Sequence, residues 1–467
     1  MEWVTPVPKG KPGLQLKQLK DVRKIASTSD YSKIFEHFIL EFILEDISDK
    51  LSKQQYGGKK GVGTEHLLVT LIDRIKKVLD DPGKCVVVLC SYDWSAAFDR
   101  LDPTKVTLKC IKLGIRSSIV KVLIDFLKDR KMKVKFNQQT SSLHDLTGGS
   151  PQGSILGQLL YIIGSDDAVE NLEEDDKYQY IDDVITVENV NIENKLHQYD
   201  VWNHVPSDIP TQERFLAPHT FESQNIINNI ALWTEENKAK LNVGKSKYMI
   251  FSKSKEQFTT RLSVNHNILD RENEMIHLGL WISQDLSWEK HISEVCKKTY
   301  PKLKMLTKLK YVGIRTEDLI ELYCSLIRSQ TEYCSTVFHS SLSQRLSNKL
   351  ENIQRTSLKV ILGVMYVDYQ SALEMCGLVT LHERREHRSL KFALKCKSHQ
   401  TNNRLFPLNP SEDTHCIRNR EEYKVNKTHT ESYKNSTIPY LQRKLNNHTT
   451  ELKNSKSSNV NTSKETP

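Results

Sequence analysis

Tyr180-Ile181-Asp182-Asp183-Val184 is the stretch on which the reading of this chain turns. Tyr178 and Tyr180 precede the acidic pair, and Val184, Ile185 and Val187 follow it. Two strand-like runs joined by Asp-Asp read as a β-hairpin with two carboxylates at its tip. Like charges placed there repel one another unless a cation stands between them, and a divalent metal is the usual one. The competing reading is an ordinary turn, in which Asp caps local backbone donors. A third carboxylate on a buried strand decides between the two.

That carboxylate lies upstream. Cys85–Leu89 is a short, unbroken apolar run, the pattern of a strand buried on both faces. It leads into Ser91-Tyr92-Asp93 and on to Phe98-Asp99. A strand that ends in an acid beside an Asp-Asp hairpin brings backbone-anchored carboxylates to one pair of Mg²⁺ ions, as phosphoryl and nucleotidyl transfer require. Mg²⁺ takes hard oxygen ligands and draws the remainder from substrate phosphates. Asp99 reads instead as a structural partner, and Asp102, before Pro103, as a helix N-cap. Between strand and hairpin, Gly148–Ser154 forms a glycine-rich loop ahead of the apolar helix Ile155–Ile163. Its exposed amides and Gln152 could contact a template base or an incoming nucleotide. Ser165-Asp166-Asp167 ends that helix and is read as a decoy for the hairpin acids.

Further out, helices and strands alternate. Leu67, Leu68, Leu71, Ile72, Ile75, Val78 and Leu79 recur at helical spacing with Thr64 as the N-cap, and Asp80-Asp81-Pro82-Gly83 breaks the helix. Helices are also expected from Asp102-Pro103 to Gly114, over 118–128 and over 223–241. Lys131–Phe136 alternates strictly, with three lysines on one face, and reads either as a solvated edge or as a phosphate-facing strand. Tyr248–Phe251 reads as a strand, and 290–400 as helix-rich. Beyond Asn446 the chain is Asn, Ser, Thr and Lys with almost nothing to bury, so disorder is expected there.

The 467 residues suit about three domains of roughly 150 each. A net charge of +9 permits a nucleic-acid partner without requiring one. The nine cysteines show no metal-knuckle or paired spacing, which points to reduced thiols rather than disulfides or zinc. No apolar stretch reaches membrane-spanning length and the N-terminus has no signal-peptide core, so an intracellular protein, nuclear or cytoplasmic, with no membrane association is expected.

Taken in order, Asp93–Asp99, Ser150–Gly157, Tyr180–Asp183, Leu241–Phe251 and His277–Ile282 resemble the palm motifs and primer grip of non-LTR retrotransposon reverse transcriptases. Asp21–Glu36 resembles the fingers motif of that family, and Tyr56–His66 the segment before its palm. The resemblance implies an α+β right-hand polymerase. Fingers would occupy 1–84, palm 85–285, a helical thumb and connection 286–400, a C-terminal extension 401–445 and a disordered tail 446–467.

It also implies an RNA-directed DNA polymerase that extends a DNA primer on an RNA template from dNTPs, using two Mg²⁺ ions. Asp93 and Asp182 would hold both ions, with Asp183 in support. Phe98 would exclude a ribose 2′-hydroxyl, while Gln152 and Arg23 would contact the nucleotide. Lys245 would protonate the pyrophosphate leaving group, although a solvated turn lysine has an equal claim on that position. Leu278 and Gly279 would form the primer grip. No endonuclease-like segment precedes the fingers motif, so the expectation is either an endonuclease supplied by a separate reading frame or a truncated copy. The chain also departs from the family where it has Lys24 and Gln158 in place of prolines. Two other readings stand beside this one. A polymerase making RNA is disfavoured by Phe98, which stands where such enzymes carry a second acid. A decayed or domesticated, non-catalytic nucleic-acid-binding protein is disfavoured by the intact acids.

Overall fold

The computed structural model describes residues 2–8, 22–83, 85–191, 213–215, 221–253, 257–399, 402–409 and 422–462. Asp21, at the head of the expected fingers motif, and residues 463–467 of the expected tail lie outside them.

Two sheets organise the N-terminal two-thirds. The first joins β1 (Glu2–Pro8), β2 (Val22–Ser27), β4 (Arg130–Phe136), β5 (Gln139–Thr140) and β6 (His144–Leu146). β1 runs antiparallel to β2 and parallel to β4, with Val4 opposite Val134. β4 is therefore internal, flanked by β1 on one side and by β5 and β6 on the other, so its lysines do not mark a sheet edge. Next to this sheet, α1 (Asp30–Ile47), α3 (Pro103–Lys112), α4 (Ser117–Leu127) and α5 (Ile155–Ser165) share one apolar core built on Ile39, Ile43, Val106, Leu123 and Leu160. Asp102 caps α3 by accepting from the Thr104 and Lys105 amides at 2.9 and 3.0 Å, as its place before Pro103 predicts.

The second sheet has the order β10-β9-β3-β8-β7, where β3 is Cys85–Tyr92, β7 Lys177–Tyr180, β8 Asp183–Asn191, β9 Lys247–Ser252 and β10 Asp270–Arg271. Antiparallel pairing sets Leu89 against Val187 and Met249, and Val88 against Glu188 and Ile250. Alternate residues of β3 enter different cores. Val87 and Leu89 pack with α2 (Thr64–Asp80) and the C-terminal helices, whereas Val86, Val88 and Cys90 pack with α6 (Glu222–Glu236). Burial on both faces is why this strand reads as a continuous apolar run. The N-cap of α2 is Gly63, whose amide donates to His66 Nδ1 at 3.1 Å, and not Thr64, which is the first helical residue.

The third region is helical. β11 (Glu274–His277) and β12 (Leu280–Ser283) form a hairpin ahead of α7 (Glu289–Tyr311), α8 (Gln344–Leu362), α9 (Leu381–Ser398) and α10 (Thr437–Thr462). A separate small core of Leu306, Leu319, Tyr323, Ile327, Leu358 and Ile361 holds the first two of these helices together.

Pairing and packing cross the chain order: residues 130–146 pair with the N-terminal strands, and α2 packs on the second sheet. The expectation of disorder beyond Asn446 changes. The stretch from Asn446 is helical through Thr462. Leu441 and Leu445 are buried in the α2 core, and Asn446 bonds to the backbone of Tyr423 at 2.8 and 3.0 Å. Once a packed turn has nucleated a helix, adding polar residues to it is inexpensive.

Candidate active site

Asp93 is the first residue past β3, one step beyond the pair Tyr92–Val184 in the β3–β8 ladder. That register delivers its carboxylate to the start of β8. The segment Leu241–Ser246 holds Asp93 in place: its amide donates to Ser246 Oγ at 3.1 Å, its carbonyl accepts from the Asn242 amide at 2.7 Å, and the neighbouring Trp94 bridges to Leu241. The same segment carries Lys245, whose Nζ lies 3.7 Å from Asp93 Oδ2.

Tyr180 pairs with Asp183, so the hairpin tip is Ile181-Asp182, and Asp183 already belongs to β8. The expected bare Asp-Asp tip is shifted by one residue. Ile181 takes φ +59°, a left-handed conformation that a β-branched residue adopts only under constraint. Asp182 is exposed and Asp183 half-buried. Burial, followed by repulsion from Asp182 and Asp93, pushes the Asp183 carboxyl up to about 6. Asp182 is raised as well, by desolvation of the carboxylate among its neighbours and by Asp93, against its own backbone hydrogen bond and the opposing charge of Arg23. The three carboxylates therefore share one electrostatic site, and Arg23 on β2 acts on it.

Phe98 sits in a short 3₁₀ turn after β3 and stacks on Tyr161 of α5 with ring centroids 4.8 Å apart. Tyr161 feels both Asp182 and Asp183, which together with burial raise its hydroxyl's pKa. The Gln152 carbonyl accepts from the Ala26 amide of β2 at 2.7 Å. Gly153 takes φ +122°, and a Cβ there would stand 2.5 Å from the Ala26 carbonyl, so only glycine permits this approach. Lys24 of β2 pairs with Asp99 at 3.1 Å, the structural role expected for Asp99. A polar cavity of about 180 Å³ opens between Lys24, Asp99, Arg130 and Gln152.

Leu278 and Gly279 form the tip of the β11–β12 hairpin with φ +46° and +82°. They are held from the helical region, where the Tyr333 hydroxyl donates to the Leu278 carbonyl at 2.5 Å. Leu278 and Tyr180 pack against the same core beneath the sheet. The decoy acids serve the fold. Asp166 accepts from the Ser52 amide at 3.1 Å, and Asp167 accepts from Lys109 and from Trp233 Nε1 at 2.7 and 2.8 Å.

Sequence reasoning did not single out three supporting residues. Glu36 accepts from the Ile155 and Leu156 amides at 2.7 and 3.1 Å and so caps the helix behind the Gln152 loop. Its signal was an acid in register with Ile39 and Ile43 on the buried stripe of α1. Tyr333 and Gln55 carried no periodic signal, because their contacts cross from one part of the chain to another.

Among the described residues, no group of three or more histidines, cysteines, aspartates or glutamates is disposed to hold a metal ion by itself. Mg²⁺ commonly takes one or two protein carboxylates and draws its other ligands from substrate phosphates and water.

The model of the family described as "Reverse transcriptase (RNA-dependent DNA polymerase)" matches residues 7–314, well over half of the chain. The chain belongs to the reverse transcriptase family. This family generally uses divalent metal ions. Among curated relatives, the chain is 21% identical over 417 residues to a probable RNA-directed DNA polymerase from transposon BS of Drosophila melanogaster, covering 86% of this chain and 43% of the relative. It is 22% identical over 367 residues to the RNA-directed DNA polymerase from mobile element jockey of Drosophila funebris, covering 76% of this chain and 37% of that protein. The chain thus spans less than half the length of these relatives. Among solved structures, a Candida albicans telomerase in complex with a fragment of telomeric RNA overlaps with a TM-score of 0.39 at 12% identity, over 87% of this chain and 64% of that one.

Proposed function

We propose that this reverse transcriptase is the RNA-directed DNA polymerase of a mobile element, extending a DNA primer on an RNA template by two-Mg²⁺ nucleotidyl transfer. The observation that carries the proposal is the electrostatic coupling of Asp93, Asp182 and Asp183: burial, and after it mutual repulsion, raises the carboxyl pKa of both hairpin acids. A divalent cation relieves that repulsion, and hard carboxylate oxygens with no nitrogen or sulfur donor suit Mg²⁺. When bound, the ions would activate the primer 3′-hydroxyl and neutralise the triphosphate. Asp93 and Asp182 would hold them, with Asp183 in support.

The remaining residues bind and orient. Phe98, backed by Tyr161, presents a ring where a 2′-hydroxyl would sit and so favours dNTPs. Gln152 and Arg23 reach the nucleotide from the loop and from β2, Arg23 offering charge to its phosphates. Lys245, whose Nζ lies 3.7 Å from Asp93 Oδ2, would give its proton to the departing pyrophosphate oxygen. Leu278 and Gly279 would bear on the primer end.

The test is dNTP incorporation on a primed RNA template by the wild type beside Asp93→Ala and Asp182→Ala. Losing a metal ligand should lower the rate by about three orders of magnitude or more. Equal rates in wild type and variants, or a preference for NTPs over dNTPs, would overturn the proposal.

A further inference from the structure

The hairpin that carries Asp182 and Asp183 holds a strained residue, and one side chain far away in sequence binds the backbone at that point. Gln55 lies in the loop between α1 and α2 and is 1% exposed. Its Oε1 accepts from the Ile181 amide at 2.9 Å and from the Gly57 amide at 2.9 Å. The loop around it runs along the open side of β7. The Tyr56 amide donates to the Gln179 carbonyl at 2.8 Å, and the Gln179 amide to the Gln54 carbonyl at 3.0 Å. Gly57 approaches so closely that a Cβ on it would stand 2.8 Å from the Ile181 nitrogen and 2.5 Å from its Cγ1.

The other end of the Gln55 amide supports the same reading. Its Nε2 is buried without a partner among the described residues. A buried donor left unpaired is unfavourable, and an apolar side chain of similar length would avoid that penalty. The amide is therefore retained for its oxygen, and that oxygen serves the turn. A β-branched residue at φ +59° persists only where its surroundings impose that conformation. Here the imposing groups are Gln55 Oε1 on the amide and Gly57 against the side chain.

We infer that Gln55 is a positioning residue for the Asp182 and Asp183 carboxylates, fixing the hairpin tip from which both project. Gln55 touches neither metal nor substrate and acts only through the Ile181 backbone. The inference rests on the two-metal reading proposed above, since only then does carboxylate placement set the rate. Without the Oε1 contact, Ile181 relaxes towards negative φ and the two acids swing apart.

The experiment uses the full chain and compares wild type, Asp93→Ala, Gln55→Met, Ile181→Gly and the Gln55→Met/Ile181→Gly pair. Primer extension is measured against Mg²⁺ and against dNTP concentration, and hydrogen–deuterium exchange is followed on metal-free protein. Gln55→Met should lower kcat by about 10- to 100-fold, the range expected for misplaced reacting groups. It should also raise the Mg²⁺ concentration needed for half-maximal rate several-fold, leave the dNTP KM within twofold and speed exchange in peptides spanning 177–187. Glycine accepts φ +59° freely, so in the Ile181→Gly background the Gln55→Met loss should shrink at least fivefold.

A folded Gln55→Met protein with wild-type kcat and Mg²⁺ dependence, or strictly additive losses in the pair, overturns the inference. If Gln55→Met does not fold, Gly57→Ala presses on the same turn and is judged by the same kinetic criteria. If the wild type and Asp93→Ala are equally inactive, the polymerase reading fails. The clamp is then decided by exchange alone, with faster exchange at 177–187 in Gln55→Met supporting it and unchanged exchange overturning it.

Discussion

Acid should weaken divalent-metal binding at the carboxylate cluster in a pH range where ordinary aspartates no longer titrate. Burial, with repulsion from Asp182 and Asp93, lifts Asp183 from the ordinary aspartate pKa of 3.8 to about 6. Metal and proton compete for the same oxygens. A carboxyl at 3.8 is ionised throughout pH 5–7 and would change affinity by less than about a tenth. One at about 6 is about 9% ionised at pH 5 and about 91% at pH 7, so affinity should rise about tenfold across that interval. The raised Asp182 adds to the slope, and because the two acids repel, the titration belongs to the pair. The sign for folding is opposite to that of a salt-bridged aspartate. The native state holds this proton more tightly than the unfolded chain, so this group's contribution to metal-free stability falls as pH rises from about 4 to about 6. Calorimetric titration with Mg²⁺ or Mn²⁺ at pH 5, 6 and 7 reads the binding effect directly, beside Asp183→Asn. Affinity flat within twofold, or an equal slope in Asp183→Asn, would refute the reasoning.

Two further outcomes follow from named contacts. Phe98→Ala removes the ring that stacks on Tyr161 and should reduce discrimination against ribonucleotides by on the order of a hundredfold, read as the ratio of NTP to dNTP incorporation. Glu332, 6% exposed, meets Arg384, Arg328 at 3.7 Å and Arg388 at 3.6 Å. Glu332→Ala leaves these guanidinium groups without their shared carboxylate. It should cost about 3 kcal/mol, towards the lower end for breaking a buried pair because two of the arginines are partly exposed, and a urea unfolding midpoint checks it.

Much of the catalytic sheet was legible because its signals are local. The apolar run of β3, the helical spacing of α2, the caps at Asp102 and the hairpin acids each declare themselves within a dozen residues. The dispensable acids were legible too, since Asp166 and Asp167 end a helix instead of turning a hairpin. What escaped depends on chain segments meeting. The parallel pairing of β1 with β4 joins residues more than a hundred apart, and no periodicity announces it. Gln55 looked like one more polar residue before a pair of glycines, and its meaning lies in an amide 126 positions later. The C-terminal helix escaped for a different reason. Composition describes its polar far end, while Leu441 and Leu445 near its start are buried in the α2 core.

The packing of α2 carries a consequence for biosynthesis. Its core draws on residues from Tyr56 to Leu445, and Asp80 at its end accepts from Thr430, 350 positions away. Every catalytic motif up to β9 is made by residue 252, yet the lower face of the sheet is completed only when residue 445 arrives. At about 5–20 residues per second, the nascent chain spends roughly 10–40 s with all three acids synthesised and an apolar face open. A message cut short within that interval would encode a chain that carries all three acids without the helices that cover its sheet, exposed to chaperones and proteases. Possession of the active-site residues and possession of a fold are here separated by almost two hundred codons.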